Sequence, residues 1–302
     1  MMKIAVPTKT TDGNTEYNVF LNWTNADPVA GIPDLCNLGV DRRGDVYVLS
    51  RSEPCVRIFN SRGEETGGWT HPLMQPPANA NGFGSAHAMH VSEDDHIYIT
   101  TWDYHQVLIF TREGELVLEL GTHGKPRWAA PFNHPTDVTL AADGEIYVSD
   151  GYGNARVHRF THDGELLQSW GEPGAGDGEF ACPHSVVVTA DNRVIVADRD
   201  NNRLQVFDRK GQLLDIWYGF PKPMSVWSSG DDLFVADQTP RIARVSLTTG
   251  RIVGAFRSVS GLIPHGISGT ADGSLFVADI LPYPSITKYE ATSTSHRSAN
   301  LG

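Results

Sequence analysis

No uncharged apolar run in these 302 residues reaches the roughly 18 residues that a membrane-spanning helix needs, so no span is expected. The opening stretch MMKIAVPTKTTDGNTEY also lacks an apolar segment of roughly 7–15 residues, the mark of a secretory signal. A cytoplasmic protein is the expectation. The three cysteines, Cys36, Cys55 and Cys182, are too few and too scattered for a disulfide framework, which agrees with a reducing compartment. Nor is there a long block of one charge. The 36 acidic and 24 basic residues sum to −12, which repels both nucleic-acid phosphates and anionic membrane. Neither is expected as a partner, whereas a small-molecule substrate is; the oligomeric state is left open. No window keeps apolar residues at helical spacing for long enough to make a core helix. With 40% apolar residues the chain can still bury a large core, so strands must build it.

Those strands come in a repeat. DRRGDVYVLSRSEPCVRIFNSRGE (41–64) returns in degenerate form as SEDDHIYITTWDYHQVLIFTREGE (92–115) and AADGEIYVSDGYGNARVHRFTHDGE (141–165). Three more copies follow: TADNRVIVADRDNNRLQVFDRKGQ (189–212), SSGDDLFVADQTPRIARVSLTTGR (228–251) and TADGSLFVADILPYPSITKYEA (270–291). Each has an Asp/Gly turn, a short strand rich in Val, Ile, Tyr and Phe, a second turn, another strand and a closing G-x-L edge. A period of roughly 40–50 residues is that of four-stranded propeller blades, which hide their edges by packing radially around a channel. The expected fold is all-β: a single six-bladed β-propeller over 1–302, with blades starting near 37, 86, 134, 183, 223 and 264. The stretch YNVFLNW (17–23) is expected to close the ring as outer strand of the last blade, and 293–302 to form a flexible tail.

Counting back from each central strand to where the innermost strand enters the channel gives Cys36, His87, Thr136, His184, Met224 and His265. Histidine occupies blades two, four and six only. Innermost strands run along the channel axis, so three equivalent residues from alternate blades point at one another. Neutral imidazoles converging in this way hold a divalent ion such as zinc with one coordination position open, as in catalytic rather than structural zinc sites. A single buried histidine is more often a core residue bonded to a carbonyl; equivalence across three repeats argues otherwise. The turns after the central strands face the same mouth and bring Arg51, Trp102, Tyr152 and Arg199. Two arginines suit a carboxylate, and Tyr152 would act as a base if zinc and arginine lowered its pKa. Read individually, DGYGN and DRDNN are also ordinary Asx and glycine turns. Cys182 reads as a small buried residue rather than a fourth ligand.

NHPTDVTLAADGEIYVSDGYGNARVHRF, QSWGEPGAGDGEFACPHSVVV and VADRDNNRLQVF resemble peptidyl-α-hydroxyglycine α-amidating lyase, a six-bladed propeller of NHL-type repeats. The likeness is densest over about 130–210. It implies zinc on His87, His184 and His265, a catalytic tyrosine at Tyr152, and active-site arginines at Arg199 and Arg51. Cys36, Trp102, Thr136, Met224 and Ile263, the last standing where the family has methionine, would line the substrate. The family's disulfide positions hold Asn133 and Gly153. The family's calcium-binding aspartate is replaced by Gly266, so calcium is not expected. The reaction implied is cleavage of an N-acyl-α-hydroxyglycine to an amide and glyoxylate: zinc as Lewis acid, the arginines on the carboxylate and Tyr152 taking the hydroxyl proton. A zinc-dependent hydrolase or lactonase and a non-catalytic binding propeller are the alternatives.

Overall fold

The computed structural model describes residues 8–24, 31–75, 85–280 and 284–294. Six antiparallel sheets are arranged around a central channel. Their innermost strands are Leu35–Val40, Ala86–Val91, Asp137–Leu140, Pro183–Val188, Pro223–Ser229 and Pro264–Gly269. Five sheets have four strands in sequence order from the channel outward. The sixth is completed by the N-terminus: Thr15–Phe20 pairs with Ser285–Thr294, so the two ends of the chain share one blade.

Two details differ from the sequence reading. Thr8–Thr11 adds a fifth strand outside Thr15–Phe20. Ser293 and Thr294, expected in a flexible tail, instead pair with Glu16 and Thr15, because β-branched and hydroxyl residues extend the last strand along an available edge. The rest of that tail, 295–302, lies outside the described residues, as do 281–283 in the sixth DILPY turn.

The second strand of each blade explains why the repeats are so apolar. Val46–Ser50, Ile146–Asp150 and Val194–Asp198 are buried along their whole length, on both faces. A blade lies between two others, so alternation of inside and outside is replaced by a continuous run of Val, Ile and Tyr. Six hydrophobic clusters result, each drawn from two neighbouring blades. Tyr147 and Trp170 of the third blade, for example, pack with Val194 and Phe207 of the fourth. The ring is rigid at its hub, and its first, innermost residues are held accordingly.

An acidic residue that ends the second strand ties down the mouth. Asp150 accepts from the Asn133 backbone N–H at 3.0 Å, Asn154 Nδ2 at 2.7 Å and His158 Nε2 at 3.0 Å. Asp198 does the same in the fourth blade, taking the Ala181 N–H at 3.0 Å and Arg203 Nε at 2.8 Å. Buried carboxylates persist only where such donors surround them, and here they fix the turns that carry Tyr152 and Arg199.

Candidate metal centre

In five blades the strand register slips at one residue near the channel mouth, where Cys36, His87, His184, Met224 and His265 stand. Such a bulge turns a side chain away from the face it would otherwise take. His87, His184 and His265 are turned onto the axis. All three are buried, their ring centroids are 5.0–5.1 Å apart, and their ligand nitrogens lie within 4.8 Å of one another.

The remaining three register positions do a different job. His87 Nδ1 donates to the Thr136 carbonyl, His184 Nδ1 to the Met224 carbonyl and His265 Nδ1 to the Cys36 carbonyl, each at 2.6 Å. A carbonyl can only accept, so Nδ1 carries the proton and Nε2 keeps its lone pair. Every second blade thus supplies an imidazole, and the blade after it supplies the acceptor that orients the ring. The side chains of Cys36, Thr136 and Met224, expected to line the substrate, have protein partners of their own. The Cys36 thiol meets the Leu49 carbonyl, and the Thr136 hydroxyl donates to the Pro183 carbonyl. The Met224 sulfur accepts from Gln238. Their contribution is main-chain, a kind of support that residue identity does not advertise.

Three neutral, pre-aimed Nε2 atoms fit a divalent ion. Burial, then the neighbouring imidazoles and Arg51, hold the His87 pKa well below its ordinary range. Burial, His265 and Arg199 do so for His184, and burial takes His265 to about 4. The linkage has a definite sign. A histidine whose folded pKa is depressed costs nothing above about pH 6.5, where both states are neutral. Below that the unfolded chain takes up protons the folded one refuses. Metal-free protein should therefore lose stability between about pH 6.5 and 4, by ~1.4 kcal/mol per pH unit for each such histidine. Denaturant midpoints of chelator-treated protein across that range measure it, and the slope should shrink in His265→Asn.

The mouth completes the arrangement. The Tyr152 hydroxyl lies 3.0 Å from His87 Nε2 and 2.9 Å from His184 Nε2, with Arg199 Nη1 at 3.4 Å. Burial pushes its pKa up to about 12, while the Arg199 and Arg51 charges pull it down. Arg199 is held by Asp200 at 3.0 Å. Arg51 donates through Nε to the Ala86 carbonyl, lies 5.4 Å over the Trp102 ring, and has no acidic partner among the described residues. Trp102 also faces Tyr152, at 5.7 Å, and its indole N–H is buried without an acceptor there. Ile263 is half-buried just before Pro264 and His265, with its carbonyl accepting from Ile280 N–H. Cys182 is buried, its thiol pushed up to about 12, and it stands outside the histidine cluster.

Glycines flank Tyr152 for a steric reason. A Cβ on Gly151 would fall 2.2 Å from the Pro183 carbonyl oxygen, and one on Gly153 would fall 2.4 Å from Asn133 Cγ. Asn133 and Gly153, the two positions of the family's bridge, are thus in contact here without a covalent link. Gly153→Ala should displace the Tyr152 loop and lower turnover by roughly 10²-fold, as misplacement of about 1 Å does elsewhere, with metal content unchanged. Asn154 also pins this loop to the rim through the Arg127 and Ala130 carbonyls, which the sequence reading missed. At Gly266, Asn37 Cγ and Oδ1 stand 3.0 Å from where a Cβ would be, so the space beside His265 is taken by an amide side chain.

With this geometry in place, likeness to known proteins becomes informative. The NHL repeat family matches residues 132–160 and 180–207, the two blades that carry Tyr152, His184 and Arg199. Peptidyl-glycine alpha-amidating monooxygenase from Mus musculus is 30% identical over 277 residues, 80% of this chain and 28% of that protein. A probable peptidyl-alpha-hydroxyglycine alpha-amidating lyase from Caenorhabditis elegans is 35% identical over 176 residues, 57% of this chain and 45% of that one.

The chain is a β-propeller with NHL repeats that resembles the amidating lyases.

NHL repeat-containing protein 3 from Homo sapiens is also similar, at 28% identity over 78% of this chain and 74% of its own length. The amidating-lyase-like propeller spans little more than a quarter of the mouse monooxygenase, so that protein's whole activity does not carry over.

Proposed function

We propose that this chain is a zinc-dependent carbon–nitrogen lyase acting on an N-acyl-α-hydroxyglycine-like carbinolamide, releasing an amide and glyoxylate. The observation that carries the reading is the Tyr152 hydroxyl, within hydrogen-bond reach of two nitrogens of the tripod and beside Arg199. Nε2 of His87, His184 and His265 would hold the metal, which supplies Lewis-acid polarisation of a bound oxygen. Arg51, which makes no ion pair among the described residues, and Arg199 across the mouth favour a substrate carboxylate despite the net charge of the whole chain. The buried Trp102 N–H offers a donor to a substrate carbonyl. With the Nε2 lone pairs committed to a metal, Tyr152 would lose those acceptors, and as the phenolate its oxygen would take the substrate hydroxyl proton. The C–N bond then breaks with its electrons going to nitrogen, and Tyr152 returns the proton to the leaving amide. No water is consumed. Three buried free cysteines agree with work in the reducing cytoplasm.

Purified full-length protein should form glyoxylate from α-hydroxyhippurate, and chelation should abolish it. Heavy oxygen from solvent appearing in an acid product would instead establish the hydrolase. The similarity to NHL repeat-containing protein 3 supports a second reading, a propeller that binds without catalysis. It predicts neither product, and substoichiometric metal.

A further inference from the structure

The channel does not end at the histidines. On their other side, toward the opposite mouth, lies a cavity of about 840 Å³. Asn37, Asp137 and Ser225, each one residue beyond Cys36, Thr136 and Met224, stand at its inner end. Its walls mix the two kinds of surface: Leu38, Val138, Val186, Ile267 and Trp227 give the apolar part, and His90, His96, His162, Ser228 and Ser268 belong to the polar part. Glu93, Asp94 and Asp143 line its outer part, and no lysine or arginine lines it among the described residues.

Asp137 is the unusual member. Its carboxylate accepts from Ser185 Oγ at 2.6 Å, Val186 N–H at 3.1 Å and Val138 N–H at 2.9 Å, yet no cation pairs with it among the described residues. Burial pushes its pKa up to about 7, so its charged form persists at neutral pH only with a counter-charge beside it. Among the described residues no cluster of metal-ligating side chains other than the histidine tripod is found. An alkylammonium ion suits this combination: charge toward Asp137, apolar body against the valines and Trp227. We propose that the lower channel is a second ligand site, selective for a small organic ammonium ion with an apolar body. It shares no side chain with the tripod or with Tyr152, so it stands or falls apart from the lyase reading.

Isothermal titration of the full-length protein with butyltrimethylammonium chloride, at fixed ionic strength, tests this. Saturable single-site binding is expected, roughly tenfold or more tighter than the neutral isostere in which tert-butyl replaces trimethylammonium. Asp137→Asn should weaken binding by about tenfold, and Trp227→Leu by severalfold, in line with a lost charge pair and a lost apolar contact. Trp227→Leu keeps the test open should Asp137→Asn fail to fold. Absence of saturable binding, equal binding of the neutral isostere, or unchanged affinity in a folded Asp137→Asn protein would overturn the proposal. So would calcium binding in place of the ammonium.

Discussion

His184→Ala, purified without chelator, should carry only a small fraction of the one divalent ion per chain expected of the unaltered protein. Loss of a group that merely supports a metal ligand typically costs ~10–100-fold in affinity, and removal of the ligand itself should exceed that. The neighbours cannot compensate. His87 and His265 are each held by a carbonyl of a different blade, and Cys182 stands outside the cluster. Alanine also leaves the Met224 carbonyl without its donor, at a cost of about 1–3 kcal/mol for a buried acceptor. Elemental analysis should therefore be paired with a melting curve, so that metal loss in a folded protein is told apart from unfolding. His87→Ala and His265→Ala should behave alike, and a stoichiometric ion in any one of the three would remove that histidine from the centre.

The second large effect belongs to Tyr152→Phe. Only one oxygen is lost, and the ring keeps its contacts with Trp102 and Arg199 at 5.7 and 5.4 Å. Metal content and KM should stay near the unaltered values. The catalytic constant for glyoxylate formation should fall ~10²–10⁴-fold, the usual worth of a positioned acid–base group. The phenol is an unusual base, because burial pushes it up to about 12 even with Arg199 and Arg51 pulling it down. Its use at neutral pH relies on the cations that face it, so Arg199→Gln should move the rising limb of the pH profile to higher pH. Full turnover by Tyr152→Phe would exclude this residue from the chemistry.

Much of this centre is legible in the chain because the repeat acts as a ruler. Aligning VYV, IYI, IYV, VIV, LFV and LFV puts His87, His184 and His265 at one height in alternate blades, and the structure places their nitrogens together. What the ruler cannot show is direction. Cys36, Thr136 and Met224 stand at the same height, and were expected beside the substrate for that reason. A hydrogen bond from the neighbouring blade's imidazole, with a one-residue bulge at Cys36 and at Met224, sets their carbonyls toward the rings. The partners of these three bonds are 49, 40 and 229 residues apart in sequence, so no local pattern records them.

Period, apolar content and turn residues are properties of short segments, and they suffice for six four-stranded blades and for which residues share a layer of the ring. The fifth strand at Thr8–Thr11 depends on an edge that exists only after the first and last strands have met. The acid-lined channel beneath the histidines is likewise made by six strands together. Shape, side-chain direction and charge environment arise between blades, where contact and burial replace sequence order as the governing physics.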